Sequence, residues 1–280
     1  MTETRLAETV PEVRIHAAPV PDVEVVGLDA HFGHRQVLHD VALEVQRGEI
    51  MVIMGGSGSG KSTLLRHLVG LERPSAGTVR LLGRDIAGLD AGEWLDLRRR
   101  IGVAFQGGAL LSSLSVAENI MLPLREHTGL DRRTMEIMAR LKLEVVELAG
   151  FGDFMPAELS GGMLKRAAVA RAIVMDPRLL FFDEPSAGLD PAVASALDDL
   201  ILRLREAMDM TVVVVTHELA SAFKIADRIA VLDDGRVLAI DTVDGIRRSA
   251  NPRIQNLLNR RPETGEVDAA EYLRRLTGEG

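Results

Sequence analysis

The chain has 280 residues, 46% of them hydrophobic but only 3% aromatic, with no cysteine and a formal net charge of −8. That length suits one large α/β domain with room for an inserted subdomain, and the acidic balance argues against a nucleic-acid binder, whose domain usually carries a basic footprint. Lack of cysteine excludes disulfides and Cys-ligated zinc and is compatible with a reducing compartment. Residues 1–10 lack the apolar core of a secretory signal, and no apolar run approaches the ~20 residues of a membrane span; service to a membrane is expected only from a peripheral position.

Residues 1–22, with Pro11, Pro19 and Pro21 and little apolar periodicity, read as a flexible leader. From Val23 the pattern is strand-like. Val23-Glu24-Val25 and Leu43-Glu44-Val45 alternate apolar and polar, and Ala30 to Gln36, with Gly33, is a loop or hairpin between them. Glu49 to Met54 is mostly apolar and ends in glycines, as a buried parallel strand does, and Ser62 to Val69 reads as a helix. Two later runs match that strand: Leu179-Leu180-Phe181-Phe182 and Thr211 to Val215, each preceded by a helical stretch. Alternating strands and helices predict βαβ units around a parallel sheet. Residues 107–165 lack a strong strand and look helical, an inserted subdomain. A short strand, Arg236 to Ile240, precedes a polar, Arg-rich tail, 246–280, with a helical patch from Ala269 to Leu276.

Gly55-Gly56-Ser57-Gly58-Ser59-Gly60-Lys61-Ser62 fits G-x-x-x-x-G-K-[ST] between the first buried strand and the first helix, the context that motif requires. Glycines let the backbone curl so that several N–H groups face one centre, an anion nest, and the following helix adds its N-terminal partial charge. Lys61 supplies a cation to the β and γ phosphates, and the Ser62 hydroxyl, next to Thr63, can ligate Mg²⁺. Roughly one chain in a hundred of this size would match the pattern by chance; the strand before and helix after lower that further.

The strand Leu179 to Phe182 ends in Asp183-Glu184. An isolated acidic loop means little, but beside a P-loop a carboxylate at the carboxyl end of a neighbouring parallel strand lies at the phosphates. Asp183 is expected to hold Mg²⁺ and Glu184 to orient and polarise the attacking water. His217 ends the third core strand and is a candidate for the γ-phosphate, although a lone histidine is more often structural. Gln106, after Ile101 to Phe105, could bind the metal or the water, or be only a loop residue.

Leu159-Ser160-Gly161-Gly162-Met163, followed by Leu164-Lys165-Arg166 and an Ala-rich helix, resembles the signature motif of ABC transporter ATPases. The other positions match that family in order: Gln106 resembles the Q-loop glutamine, Asp183 and Glu184 the Walker B pair, Ser186 to Asp190 the D-loop, His217 the switch histidine, and Phe32 the aromatic that stacks on adenine, its alternative being a hairpin core residue. The resemblance covers about residues 23–245. It implies an ABC ATPase of the P-loop NTPase class, with a RecA-like parallel sheet core, an N-terminal antiparallel β-subdomain and an inserted helical subdomain. It further implies a head-to-tail dimer, in which ATP lies between Lys61 and Ser62 of one chain and Ser160, Gly161 and Gly162 of the other.

Met163 stands where the common signature has Gln. That departure, with Phe105-Gln106-Gly107-Gly108-Ala109-Leu110-Leu111, Val116, Asn119 and Pro123 to Thr128, is similar to the ATPase of Mla/Mce-type phospholipid transport systems. From residues alone, Pro123 to Thr128 is a solvated helix start with Pro at N1, and Leu110, Leu111, Leu114 and Val116 are core or groove. The resemblance implies integral-membrane permease subunits as partners at the cytoplasmic face of the inner membrane, with a STAS-domain protein and an Mce-type lipid-binding protein as further candidates. Alternatives are an importer or exporter ATPase for another substrate, and a soluble ABC protein of DNA repair or translation.

Overall fold

A computed structural model of the chain describes residues 20–259. Most of the expected leader and the 269–276 helical patch lie outside the described residues. Two strands come first: β1 (Val23–Phe32) and β2 (Arg35–Val45), a hairpin turning at Gly33. Val23, Val25, Leu28, Leu43 and Val45 are buried on one face, as the alternation predicts, and both strands run further than the alternating segments alone. β3 (Ile50–Met54) and helix α1 (Lys61–Leu68) follow. Then β4 (Ala76–Leu81) and β5 (Arg84–Asp85) complete an antiparallel sheet of order β2-β1-β4-β5.

Helix α2 (Ala91–Arg99) leads to β6 (Ile101–Ala104). The next stretch is helical: α3 (Val116–His127), α4 (Arg132–Val145) and α5 (Gly161–Ala172), with a 3₁₀ turn at Pro156–Glu158. Ser115 and Glu118 form a capping box that fixes where α3 begins, so Pro123 lies inside α3 and not at a helix start. α5 continues beyond Lys165 and packs against β6, α3 and α4. β7 (Leu179–Asp183), α6 (Pro191–Met208), β8 (Thr211–Thr216), α7 (Leu219–Ile225), β9 (Arg228–Asp233) and β10 (Arg236–Thr242) follow. Two short helices, α8 (Val243–Arg247) and α9 (Pro252–Leu258), end the described chain.

The second sheet has the order β10-β9-β3-β8-β7-β6, parallel throughout except for β10. One expectation is corrected here: the carboxylate strand β7 is not the neighbour of the P-loop strand β3, because β8 lies between them. The two faces of this sheet explain the unbroken apolar runs. Ile50, Val52, Met54, Leu180, Phe182, Val212 and Val214 pack with residues of α3–α6, whereas Met51, Ile53, Leu179, Phe181, Val213 and Val215 pack with the antiparallel sheet and α1. A strand covered on both faces has no solvent face on which to place polar residues.

Candidate functional site

Everything expected to act on phosphate, apart from the Ser160 segment, meets at the carboxyl edge of the parallel sheet. β3 delivers Gly55, where a Cβ would sit 2.1 Å from the Leu232 carbonyl oxygen and 2.5 Å from Ser59 Oγ, so only glycine fits. Gly60 has φ of 100°, and a Cβ there would lie 2.7 Å from Leu38 Cδ2. The curled loop opens directly into α1, whose N-terminus has no side-chain cap. Its first amides therefore remain available to an anion. Lys61 Nζ donates to the carbonyls of Gly55 (2.9 Å) and Gly56 (2.7 Å). Burial pushes the Lys61 pKa down, and the carboxylates of Glu184 and Asp183 oppose that shift.

Gln106 follows β6, Glu184 follows β7 and His217 follows β8. All three line one 840 Å³ cleft together with Gly55–Gly58, Lys61 and Ser62. Glu184 is 8% exposed and firmly held. Thr216 Oγ1 (3.1 Å) and the His217 backbone N–H (3.4 Å) donate to its Oε2, and His217 Nδ1 lies 2.8 Å from its Oε1. Its own N–H donates to the Val215 carbonyl at 2.8 Å. Its φ is 46°, a left-handed conformation that costs a non-glycine residue on the order of 1 kcal/mol. Asp183 differs: its Oδ1 is buried with no hydrogen-bond partner. Burial, then the Glu184 charge, push its pKa up against Lys165, Arg66 and Lys61.

Ser59–Thr63 also border a second, 350 Å³ cleft, which shares Gly58, Lys61 and Ser62 with the first. Phe32 and Gln36 line it, and Phe32 is 81% exposed, which removes the hairpin-core alternative. Ser160, Gly161 and Gly162 line neither cleft. Ser160 caps α5 by accepting from the Met163 N–H, and Ser160 and Gly161 face solvent. Met163 packs against the core instead. A single chain thus gathers Phe32, the glycine loop, Gln106, Glu184 and His217 but leaves the Ser160 segment apart.

Sequence reasoning missed several residues here. Thr216 anchors Glu184, and its position one residue before His217 was the available signal. Asn256 and Leu257 of α9 border the 840 Å³ cleft, brought there by the Arg253–Asp233 ion pair (2.9 Å) and buried Ile254. Nothing in their local pattern signals this. Lys165 donates to the backbone carbonyls of Gln106 and Glu184, the latter at 3.1 Å. Of the apolar residues after Gln106, Val116 is core, while Leu111 is 47% exposed. Asn119 pins their loop, its side chain bonding to Leu111, Leu114 and Ser115.

A parallel sheet that brings an anion nest, a cation and an anchored carboxylate to one edge is the architecture of a P-loop nucleoside triphosphatase. Residues 38–187 match the family described as ABC transporter. The chain is 38% identical over 257 residues to MlaF of Haemophilus influenzae, the intermembrane phospholipid transport system ATP-binding protein, covering 91% of this chain and 97% of that protein. It is 37% identical to the probable ribonucleotide transport ATP-binding protein mkl of Mycobacterium leprae, over 85% of this chain and 69% of that one. Among solved structures it resembles a dimeric ATP-binding cassette in a post-hydrolysis state bound to ADP and phosphate, with a TM-score of 0.73 and 33% identity, covering 79% of this chain and 98% of the cassette. It also resembles cbiO1 from Clostridium perfringens, part of the ABC transporter complex cbiONQ, with a TM-score of 0.74 and 26% identity over 86% and 96% of the two chains. The chain belongs to the ABC transporter family of ATP-binding proteins, and hydrolysis of ATP is its activity.

Proposed function

We propose that this protein energises phospholipid transport between membranes of the cell envelope, as the ATP-hydrolysing subunit beneath an integral-membrane permease on the cytoplasmic face of the inner membrane. The observation that carries this reading is the similarity to MlaF over 97% of that protein's length. A 250 Å³ cleft beside the Gln106 loop supports a permease contact. Leu71, Trp94, Phe105, Pro123 and Met175 line it, and Leu71 is 61% exposed.

In this reading Phe32 stacks on the adenine, and Ser57 to Thr63 receive the phosphates. Lys61 exchanges the Gly55 and Gly56 carbonyls for phosphate oxygens. Glu184 accepts a hydrogen bond from the attacking water and polarises it towards the γ-phosphorus, while the bond to the β–γ bridging oxygen breaks. His217, already 2.8 Å from Glu184, orients that carboxylate and contacts the γ-phosphate. The chain's main contribution is placement and electrostatic stabilisation. The buried, unpartnered Oδ1 of Asp183 fits a divalent cation. Ser62, Gln106 and Asp183 would hold Mg²⁺, which when bound neutralises charge on the β and γ phosphates. Ser160, Gly161 and Gly162 serve the ATP of a second copy, which accounts for the exposure of Ser160 and Gly161 and for the absence of all three from their own chain's cleft. Permease subunits, a STAS-domain protein and an Mce-type lipid-binding protein are the partners this role calls for.

The test is purification of the tagged chain from detergent-solubilised membranes, followed by phospholipid transfer between vesicles. Recovery of a permease and ATP-dependent transfer that Glu184→Gln abolishes are the expected outcome; recovery of an amino-acid-binding protein instead would refute the lipid assignment. The similarity to mkl favours a second reading, a transport ATPase for another solute. ATP-dependent movement of nucleotides and not of lipid would select it.

A further inference from the structure

We infer that Lys165 is a positioning residue: it ties the water-activating Glu184 to the helix that carries Ser160–Gly162, so that docking of this helix on the partner copy's ATP sets the geometry of the chain's own hydrolytic carboxylate. The inference rests on the proposed composite site between two copies.

The geometry is specific to this side chain. α5 begins at Gly161, capped by Ser160, and Lys165 lies just over one turn further on. Its ammonium donates to the carbonyl of Gln106 and, at 3.1 Å, to that of Glu184. A lysine head has three donors and can serve two carbonyls of different loops at once. The Glu184 carbonyl also accepts from Ala187 N–H at 3.3 Å, so the loop after β7 joins the same junction. Further along α5, Arg171 donates to the carbonyls of Gly108 (3.0 Å) and Ala109 (2.7 Å). The helix therefore grips the loop after Gln106 at two places, and Lys165 alone of these two cations extends the grip to β7.

The remaining bonds to Glu184 explain why this one matters. Val215, Thr216 and His217 belong to β8 and its end, inside the same rigid sheet. Lys165 is the bond from the helical layer. Glu184 sits at φ of 46°, so its backbone needs outside restraint to stay there. Lys165 is also partly desolvated, which lowers its pKa against the pull of Asp183 and Glu184. A cation partly withdrawn from water and held by two carbonyls makes stronger hydrogen bonds than a neutral donor would. Signature contact and carboxylate placement thereby become one mechanical unit, and each ATP reports to the opposite hydrolytic centre.

The experiment uses the full chain, with Lys165→Met and Lys165→Arg made alone and together with Glu184→Gln. ATP turnover is measured against ATP concentration, and ATP-driven dimerisation of the Glu184→Gln forms by sedimentation velocity. Lys165→Met is expected to lower kcat on the order of tenfold to a hundredfold, leaving KM and the ATP-dependent dimer unchanged, and Lys165→Arg to recover most of the turnover. A purely structural role would instead move stability without this split. Wild-type kcat in Lys165→Met overturns the assignment, as does turnover lost in step with dimerisation. If Lys165→Met melts below the assay temperature, Lys165→Gln takes its place: reduced kcat at unchanged KM supports the proposal and full turnover overturns it. If Glu184→Gln alone fails to dimerise with ATP, the composite site itself is wrong and this inference falls with it; a Glu184→Gln dimer beside a fully active Lys165→Met removes the inference only.

Discussion

Replacing Glu184 by Gln isolates what the carboxylate does from what it holds. The amide has the same shape. Its oxygen can keep the acceptor role towards Thr216 Oγ1 and His217 N–H, now at 3.1 and 3.4 Å, and its NH₂ can donate to His217 Nδ1. Stability is therefore expected to change by no more than about 1 kcal/mol, the scale of one altered hydrogen bond. The charge, however, is gone, and with it the means of polarising water. A lost general base costs typically 10²- to 10⁴-fold, or about 3–5 kcal/mol of transition-state stabilisation. ATP binding should be unchanged or tighter, because one anion fewer faces the phosphates and the neighbouring Asp183. Phosphate release under saturating ATP measures the first effect, and equilibrium titration with a fluorescent ATP analogue the second. Turnover at the wild-type rate would show that water is activated elsewhere. Lost turnover with equally lost binding would show that Glu184 acts on the fold of the site and not on the reaction.

Other residues give separable outcomes. Phe32→Ala should weaken ATP by about 1–3 kcal/mol, the range for stacking of one base on an aromatic ring, while Phe32→Trp keeps the affinity; unchanged binding in Phe32→Ala would remove the stacking role. Asp183→Asn should abolish turnover yet raise the melting temperature of the nucleotide-free protein by on the order of 2 °C, since burial and Glu184 both disfavour the Asp183 charge; a lowered melting temperature by differential scanning fluorimetry contradicts this. Burial depresses the pKa of Lys61, so the free protein loses this cation at a lower pH than an exposed lysine would. ATP affinity should consequently fall as pH rises through the depressed value, and Lys61→Ala should remove that dependence. A pH profile shared by the wild type and Lys61→Ala would assign the titration to another group.

Much of the fold is legible in the chain because its central strands are extreme. β3, β7 and β8 are buried on both faces, so their apolar runs stand out without alternation. β4, by contrast, is half exposed and holds Gly77, and β5 is two residues long; neither leaves a periodic trace. β6 is four residues long and lies at the sheet edge with β7 as its one neighbour, too short a run to leave a periodic trace. Strand order was not legible at all: placing β8 between β3 and β7 is a decision of tertiary packing. The glycine loop, Gln106, Glu184 and His217 were legible because each ends a strand at one sheet edge, or carries a spacing that phosphate chemistry demands. Lys165 and Asn256 were not, since their roles depend on contacts 19 and more residues away, such as the bond from Lys165 to the Glu184 carbonyl. Pro123 misled because proline is common at helix starts, whereas the Ser115–Glu118 capping box fixed the start seven residues earlier.

The central claim is that one chain owns only half of each ATP site. Sedimentation velocity of the Glu184→Gln protein with saturating ATP, with and without Ser160→Arg, tests it most directly. The account predicts a dimer for Glu184→Gln and a monomer with ATP still bound for the double variant, because Ser160 faces solvent, lies outside its own chain's cleft and is proposed to meet the other copy's nucleotide. A double variant that dimerises as well as Glu184→Gln would contradict it.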